Sequence, residues 1–66
     1  MIGKVKWFSN AKGYGFIVDE EQNRDVYVHF SDIQMNGFKS LTTDQSVKFD
    51  LTSTDKGYAA KQVIVS

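Results

Sequence analysis

The chain has 66 residues, no cysteine and a formal net charge of zero, from eight basic and eight acidic side chains. A chain this short holds one small core, and without cysteine it has neither a disulfide nor a thiolate metal site to staple it. Zero net charge argues against a generic polyanion binder, and no apolar run approaches the ~18 residues of a membrane span. Most of the apolar pattern has a period of two, the signature of strands. A first strand is expected over residues 3–9, followed by the turn Ser9-Asn10-Ala11-Lys12-Gly13. In the second, Tyr14, Phe16 and Val18 alternate with Gly13, Gly15 and Ile17. Residues 19–24 are polar and charged, expected as a solvated turn with Asn23 available for a left-handed position. In the third strand Val26, Val28 and Phe30 alternate with Asp25, Tyr27 and His29. One helical turn is expected next, with Ser31 as its N-cap. Asn36-Gly37 and Asp55-Lys56-Gly57 are further turn signals. Between them, Val47, Phe49 and Leu51 alternate with Ser46, Lys48, Asp50 and Thr52, and a last strand is expected over 59–65. Five short strands with polar turns point to an all-β domain, a small antiparallel barrel or sandwich.

The chain opens with no basic region followed by an apolar run, so no signal peptide is expected. The reading is one soluble domain over residues 1–66, complete from Met1 and working in a reducing, cytoplasmic setting. Nine aromatic side chains are too many for so small a core. Some rings are therefore expected at the surface, where a group of them needs a reason.

Alternation says which rings those are. Val26 and Val28 make a better inward set than Asp25 and His29, which would be costly to bury without partners. Tyr27 and His29 are thus expected to face water. Ile17 is the core residue of the second strand, which turns Tyr14, Phe16 and Val18 outward. Two neighbouring strands then present Tyr14, Phe16, Tyr27 and His29 on one surface. The first strand is ambiguous. Strict alternation buries Trp7 with Val5, whereas a bulge or bend near Lys6 turns Trp7 outward. Parity alone places Phe30 inside.

Lys6-Trp7-Phe8, then Lys12-Gly13-Tyr14-Gly15-Phe16-Ile17, then Val26-Tyr27-Val28-His29-Phe30-Ser31 resemble the bacterial cold-shock proteins. Gly37-Phe38-Lys39-Ser40-Leu41 and Ala60-Lys61-Gln62-Val63 continue the likeness, which spans nearly the whole chain. The two central motifs are similar to the paired RNP motifs of RNA-binding sheets. The resemblance implies a five-stranded antiparallel OB-type barrel that binds single-stranded RNA and DNA and acts as a nucleic-acid chaperone in the cold-shock response. It implies a nucleic-acid-binding set of Lys6, Trp7, Lys12, Tyr14, Phe16, Tyr27, His29, Phe30 and Phe38. It also implies an outward Trp7, and a Phe30 turned to ligand against its parity. Three features depart from the family pattern. Ser9 stands where Asn is common, Gly57-Tyr58 stands where Gly-Pro is frequent, and Tyr14 and Tyr27 replace the usual Phe.

The chemistry suits unpaired bases, which expose both faces to sequence-tolerant stacking worth about 1–3 kcal/mol each. Residues 1–18 carry Lys4, Lys6 and Lys12 and no acid, so a locally positive field is expected to track phosphates despite the neutral total. Lys39 and Lys61 are expected as plain solvated charges. His29 is the single histidine, with no carboxylate pair or nucleophile spaced to serve it, so neither a metal nor catalysis is expected. The reading is a monomer with no cofactor, no membrane contact and no small-molecule substrate. Its rivals are a carbohydrate-binding barrel, since sugars also stack on rings, and a barrel that docks Pro-rich peptides.

Overall fold

The computed structural model describes residues 1–34 and 40–65. Five strands form in chain order: β1 (Ile2–Ser9), β2 (Tyr14–Asp19), β3 (Arg24–His29), β4 (Ser46–Thr54) and β5 (Gly57–Val65). They close into a barrel in the order β1-β2-β3-β5-β4, with β4 returning to β1. The fold is therefore the five-stranded OB-type barrel rather than an open sandwich. Four of the pairings are antiparallel, and the closure of β3 on β5 at Tyr27 and Ala59 is parallel. That parallel contact joins strands far apart in sequence, so no hairpin signal announces it.

The inward residues of all five strands meet in one core. Val5, Ile17, Val26, Val28, Val47, Phe49, Ala60 and Val63 are buried there with Ile33 and Leu41 from the connections. Phe8 and Leu51 pack partly against it. Leu51 is less enclosed than simple alternation expects, because the register of β4 on β5 shifts between Lys48 and Asp50. Asn23 has the left-handed backbone expected of it, with φ of 52°.

Two local expectations are corrected. A single 3-10 turn spans Phe30–Asp32, and its N-cap is His29 rather than Ser31. The His29 Nδ1 accepts from the Ser31 amide at 3.3 Å and lies 2.8 Å from the Ser31 hydroxyl. An imidazole nitrogen thus does what a serine oxygen does at most such ends. The second correction concerns Asp19, expected in a solvated turn and in fact fully buried. The Arg24 Nε donates to its carboxylate at 3.1 Å, and the Glu21 amide donates at 3.2 Å. The β2–β3 hairpin sets Asp19 directly opposite Arg24, so the charge is buried with its partner and its hydrogen bonds supplied. Among the described residues no buried side-chain nitrogen or oxygen lacks a partner.

Candidate nucleic-acid interface

The register of β1 on β2 settles the position of Trp7. Val5 pairs with Ile17 and Trp7 with Phe16, leaving Lys6 as the extra residue of a bulge. One added residue inverts the alternation that follows it. Val5 stays inside, Trp7 emerges with 39% of its surface exposed, and Phe8 swings partly inward opposite Gly15.

Beyond the bulge the outward positions line up across three strands. Trp7 lies opposite Phe16, and Phe16 opposite Tyr27. One row over, Ser9 lies opposite Tyr14, and Tyr14 opposite His29. The four larger rings form a closed circuit. Centroid separations are 5.6 Å for Trp7–Tyr14, 5.8 Å for Tyr14–Tyr27, 5.9 Å for Tyr27–Phe16 and 5.5 Å for Phe16–Trp7. Tyr14 and Tyr27 are near parallel at 27°, and the other three pairs are steeply inclined. Such pairs stabilise one another beyond the area they bury. The rings therefore hold each other in place, with Trp7 and Tyr27 exposed and Tyr14 and Phe16 half-buried.

His29 and Phe30 form a second ring pair, 4.7 Å apart. Phe30 is 46% exposed, so parity fails at the strand's end because the chain leaves β3 there for the 3-10 turn. Its position is fixed from the preceding hairpin. The Phe30 amide donates to the Gly13 carbonyl at 2.8 Å. Gly13 has φ of +76°, and a Cβ there would lie 2.8 Å from the Phe30 ring. The glycine supplies both the left-handed turn and the seat for the ring. At Gly15 a Cβ would strike the Trp7 carbonyl and come within 2.6 Å of the Phe8 Cα. The inner side of β2 is thus bare enough for β1 to lie close, with the rings of both strands outside.

The lysines are arranged less simply. Lys6 donates to the Asp25 carboxylate at 3.0 Å, both side chains being about half exposed. The acid-free stretch 1–18 thus does not present a purely positive edge, since β3 brings Asp25 to it. Lys12 is exposed on the turn before Tyr14. Ser9 shapes that turn: its hydroxyl accepts from the Lys12 amide at 3.2 Å and its carbonyl from the Gly13 amide at 2.8 Å. Lys61, expected free, lies 3.5 Å from Asp32.

The structure therefore brings Trp7, Tyr14, Phe16 and Tyr27 into one cluster. His29 and Phe30 stand at its end, with Lys6 and Lys12 on the same connected elements. Phe38 and Lys39 lie outside the described residues. Sequence reasoning missed Asp25. Asp25 shares the outward parity of Tyr27 in β3, and that parity was the available signal. Among the described residues no group of three or more His, Asp or Glu is placed to hold a metal, and no helix is long and apolar enough to cross a membrane.

A small closed barrel with an outward aromatic face on β1, β2 and β3 is the architecture of an OB-type nucleic-acid-binding domain. Residues 1–66 match the family described as the 'Cold-shock' DNA-binding domain, and the chain belongs to it. A cold shock-like protein of Aquifex aeolicus is 59% identical over 63 residues, covering 96% of this chain and 90% of that protein. The cold shock-like protein CspE of Escherichia coli strain K12 is 53% identical over 62 residues, covering 94% and 90%. Among solved structures, the Drosophila Unr CSD456 fragment superposes with a TM-score of 0.80 at 15% identity, over 98% of this chain and 26% of that one, a likeness of fold.

Proposed function

We propose that this protein is a single-domain, monomeric, cytoplasmic binder of single-stranded RNA and DNA. It keeps RNA unstructured by stacking unpaired bases on Trp7, Phe16, Tyr27, His29 and Phe30, with Tyr14 bracing the cluster and Phe38 as one further stacking residue. Lys6 and Lys12 meet the phosphates. The observation that carries this reading is the circuit of four mutually supported rings on one barrel face, with Trp7 and Tyr27 exposed and Tyr14 and Phe16 half-buried between them. Rings so arranged are poor for solubility and good for stacking flat ligands. A held base cannot pair, so the protein opens weak RNA helices without ATP or covalent chemistry. Duplex is a poor ligand because its bases are already stacked on one another. The neutral total charge fits an affinity carried by stacking more than by counterion release.

The test is a titration of Trp7 fluorescence with a short oligo-dT, the matching duplex and an oligosaccharide. Quenching by the single strand alone is expected. Equal quenching by duplex would shift the weight from rings to charge, and a response to the oligosaccharide alone would make the face a sugar platform.

A further inference from the structure

Tyr14 and Tyr27 stand where Phe is usual, so two rings of the circuit carry an oxidisable phenol. They are also its near-parallel pair, with centroids 5.8 Å apart and planes at 27°. We infer that Tyr14 and Tyr27 form an oxidative cross-linking site, at which a one-electron oxidant joins the two rings as dityrosine and switches the aromatic face off. The cross-link is argued from the ring geometry. Its effect on the face rests on the single-strand reading above.

The chemistry is a coupling of two phenoxyl radicals. Each phenol gives one electron to the oxidant and one proton to water. A carbon–carbon bond then forms between the ring positions beside the two hydroxyls. The hydrogen on each joined carbon moves to the oxygen of its own ring, which restores both aromatic rings and both hydroxyls. The net change is the loss of two electrons and two protons.

Three features select this pair. First, the strand register holds the partners together. Tyr14 lies opposite His29, so Tyr27 is its diagonal neighbour on the same face, a spacing that aromatic side chains span. Neither radical has to find its partner by diffusion. Second, Trp7 feeds the pair. Its indole is exposed and oxidisable, and its ring centroid lies 5.6 Å from that of Tyr14. An electron lost from Trp7 is replaced from Tyr14, so oxidation at either ring ends on the phenol. Third, competing sites are few. The chain has no cysteine to take the oxidation instead. Tyr58 has the Arg24 guanidinium 4.2 Å from its ring centroid, a positive charge that opposes removal of an electron from the ring. Among the described residues, Tyr14 and Tyr27 are the one pair of tyrosine rings in contact.

The new bond draws the Tyr27 ring toward Tyr14 and away from Phe16, whose centroid is 5.9 Å from it. It also ties β2 to β3 across the outer surface. The position at which a base stacks on Tyr27 is thereby lost.

The experiment irradiates the full chain with ruthenium tris-bipyridyl and persulfate, a source of one-electron oxidant. Trypsin then cuts after Lys12, Arg24, Lys39 and Lys56, which leaves Tyr14, Tyr27 and Tyr58 on separate peptides. Dityrosine fluorescence is expected in a species of monomer size, with peptide 13–24 joined to peptide 25–39 and lighter by two hydrogens than their sum. Tyr14→Phe and Tyr27→Phe each remove that product, and Tyr58→Phe keeps it. All three variants retain the ring, so packing is preserved. The inference is overturned if no dityrosine forms, if it forms only in covalent dimers, if Tyr58 is a partner in it, or if Tyr14→Phe retains it. The purified cross-linked monomer should bind oligo-dT about five-fold or more weakly than the parent, the lower end of one stacking contact. Equal affinity overturns the switch. A parent that binds no oligo-dT overturns the proposed function and the switch with it, while the joined peptides still decide the cross-link.

Discussion

Strands β2 and β4 alternate in the same way and present opposite surfaces. In β4, Val47 and Phe49 turn inward while Lys48 and Asp50 stand in water. In β2 the inner side holds Gly15 and Ile17, and the large rings Tyr14 and Phe16 stand outside. The large side chains of β4 build the core, and those of β2 build a surface. The exchange is possible because Gly15 lies against the backbone of β1, where a side chain does not fit. The bulge at Lys6 then turns Trp7 onto the same surface. Periodicity tells which residues share a side. The bulk on each side tells which side builds the core and which stays at the surface.

The largest effect that would break this contrast is Gly15→Ala. Its Cβ meets backbone rather than a flexible side-chain end, so β1 and β2 must separate. A loss of about 3 kcal/mol is expected, the upper end for overpacking. For a domain this size that lowers the melting temperature by at least about 12 °C. Because the same contact seats the Trp7 backbone, Trp7 emission should shift in the folded variant. Unchanged melting and emission would show that the bare inner side of β2 is not what brings the strands together.

A second comparison sets a buried ion pair against an exposed one. Arg24→Met leaves the Asp19 carboxylate inside the barrel without its cation, at a cost of about 1–3 kcal/mol after allowance for the partly exposed arginine. Lys6→Met removes an exposed pair and should change stability by less than about 1 kcal/mol. Denaturant melts of the two variants decide it. A larger loss from Lys6 would mean that the β2–β3 hairpin is not held by its buried charge.

The smallest expected effect belongs to Lys12. Lys12→Gln should weaken oligo-dT and oligo-dA alike, by a few-fold, and flatten the log K against log salt slope by about 0.7, one phosphate's worth on a single strand. Titration of both oligomers at three salt concentrations measures this. A change in base preference would contradict a phosphate role.

Most of the barrel was legible because strand parity and turn chemistry are local. Ile17, Val26, Val28, Val47 and Phe49 follow from alternation alone. What was not legible depended on register. Whether Trp7 faces in or out turns on one extra residue in β1, which alternation cannot place, and the resemblance supplied the direction. Asp19 read as one acid of a solvated turn because its partner lies across a hairpin, and pairing 19 with 24 requires the register. Lys6 and Asp25 meet for the same kind of reason, from β1 and β3. The cap at His29 escaped because a side chain better known for stacking also accepts a backbone hydrogen bond.

The central claim is that the face and the core are separate investments of large side chains. Phe16→Ala and Val28→Ala, each measured for thermal melting and for oligo-dT affinity, test it most directly. Phe16→Ala should weaken binding by about 1–3 kcal/mol and lower melting less than Val28→Ala does. Val28→Ala, at a fully buried site, should lose about 2 kcal/mol of stability, or at least about 8 °C, while its folded fraction binds as the parent does. A Phe16 variant that melts as early as the Val28 variant and binds oligo-dT with the parent's affinity would contradict the account.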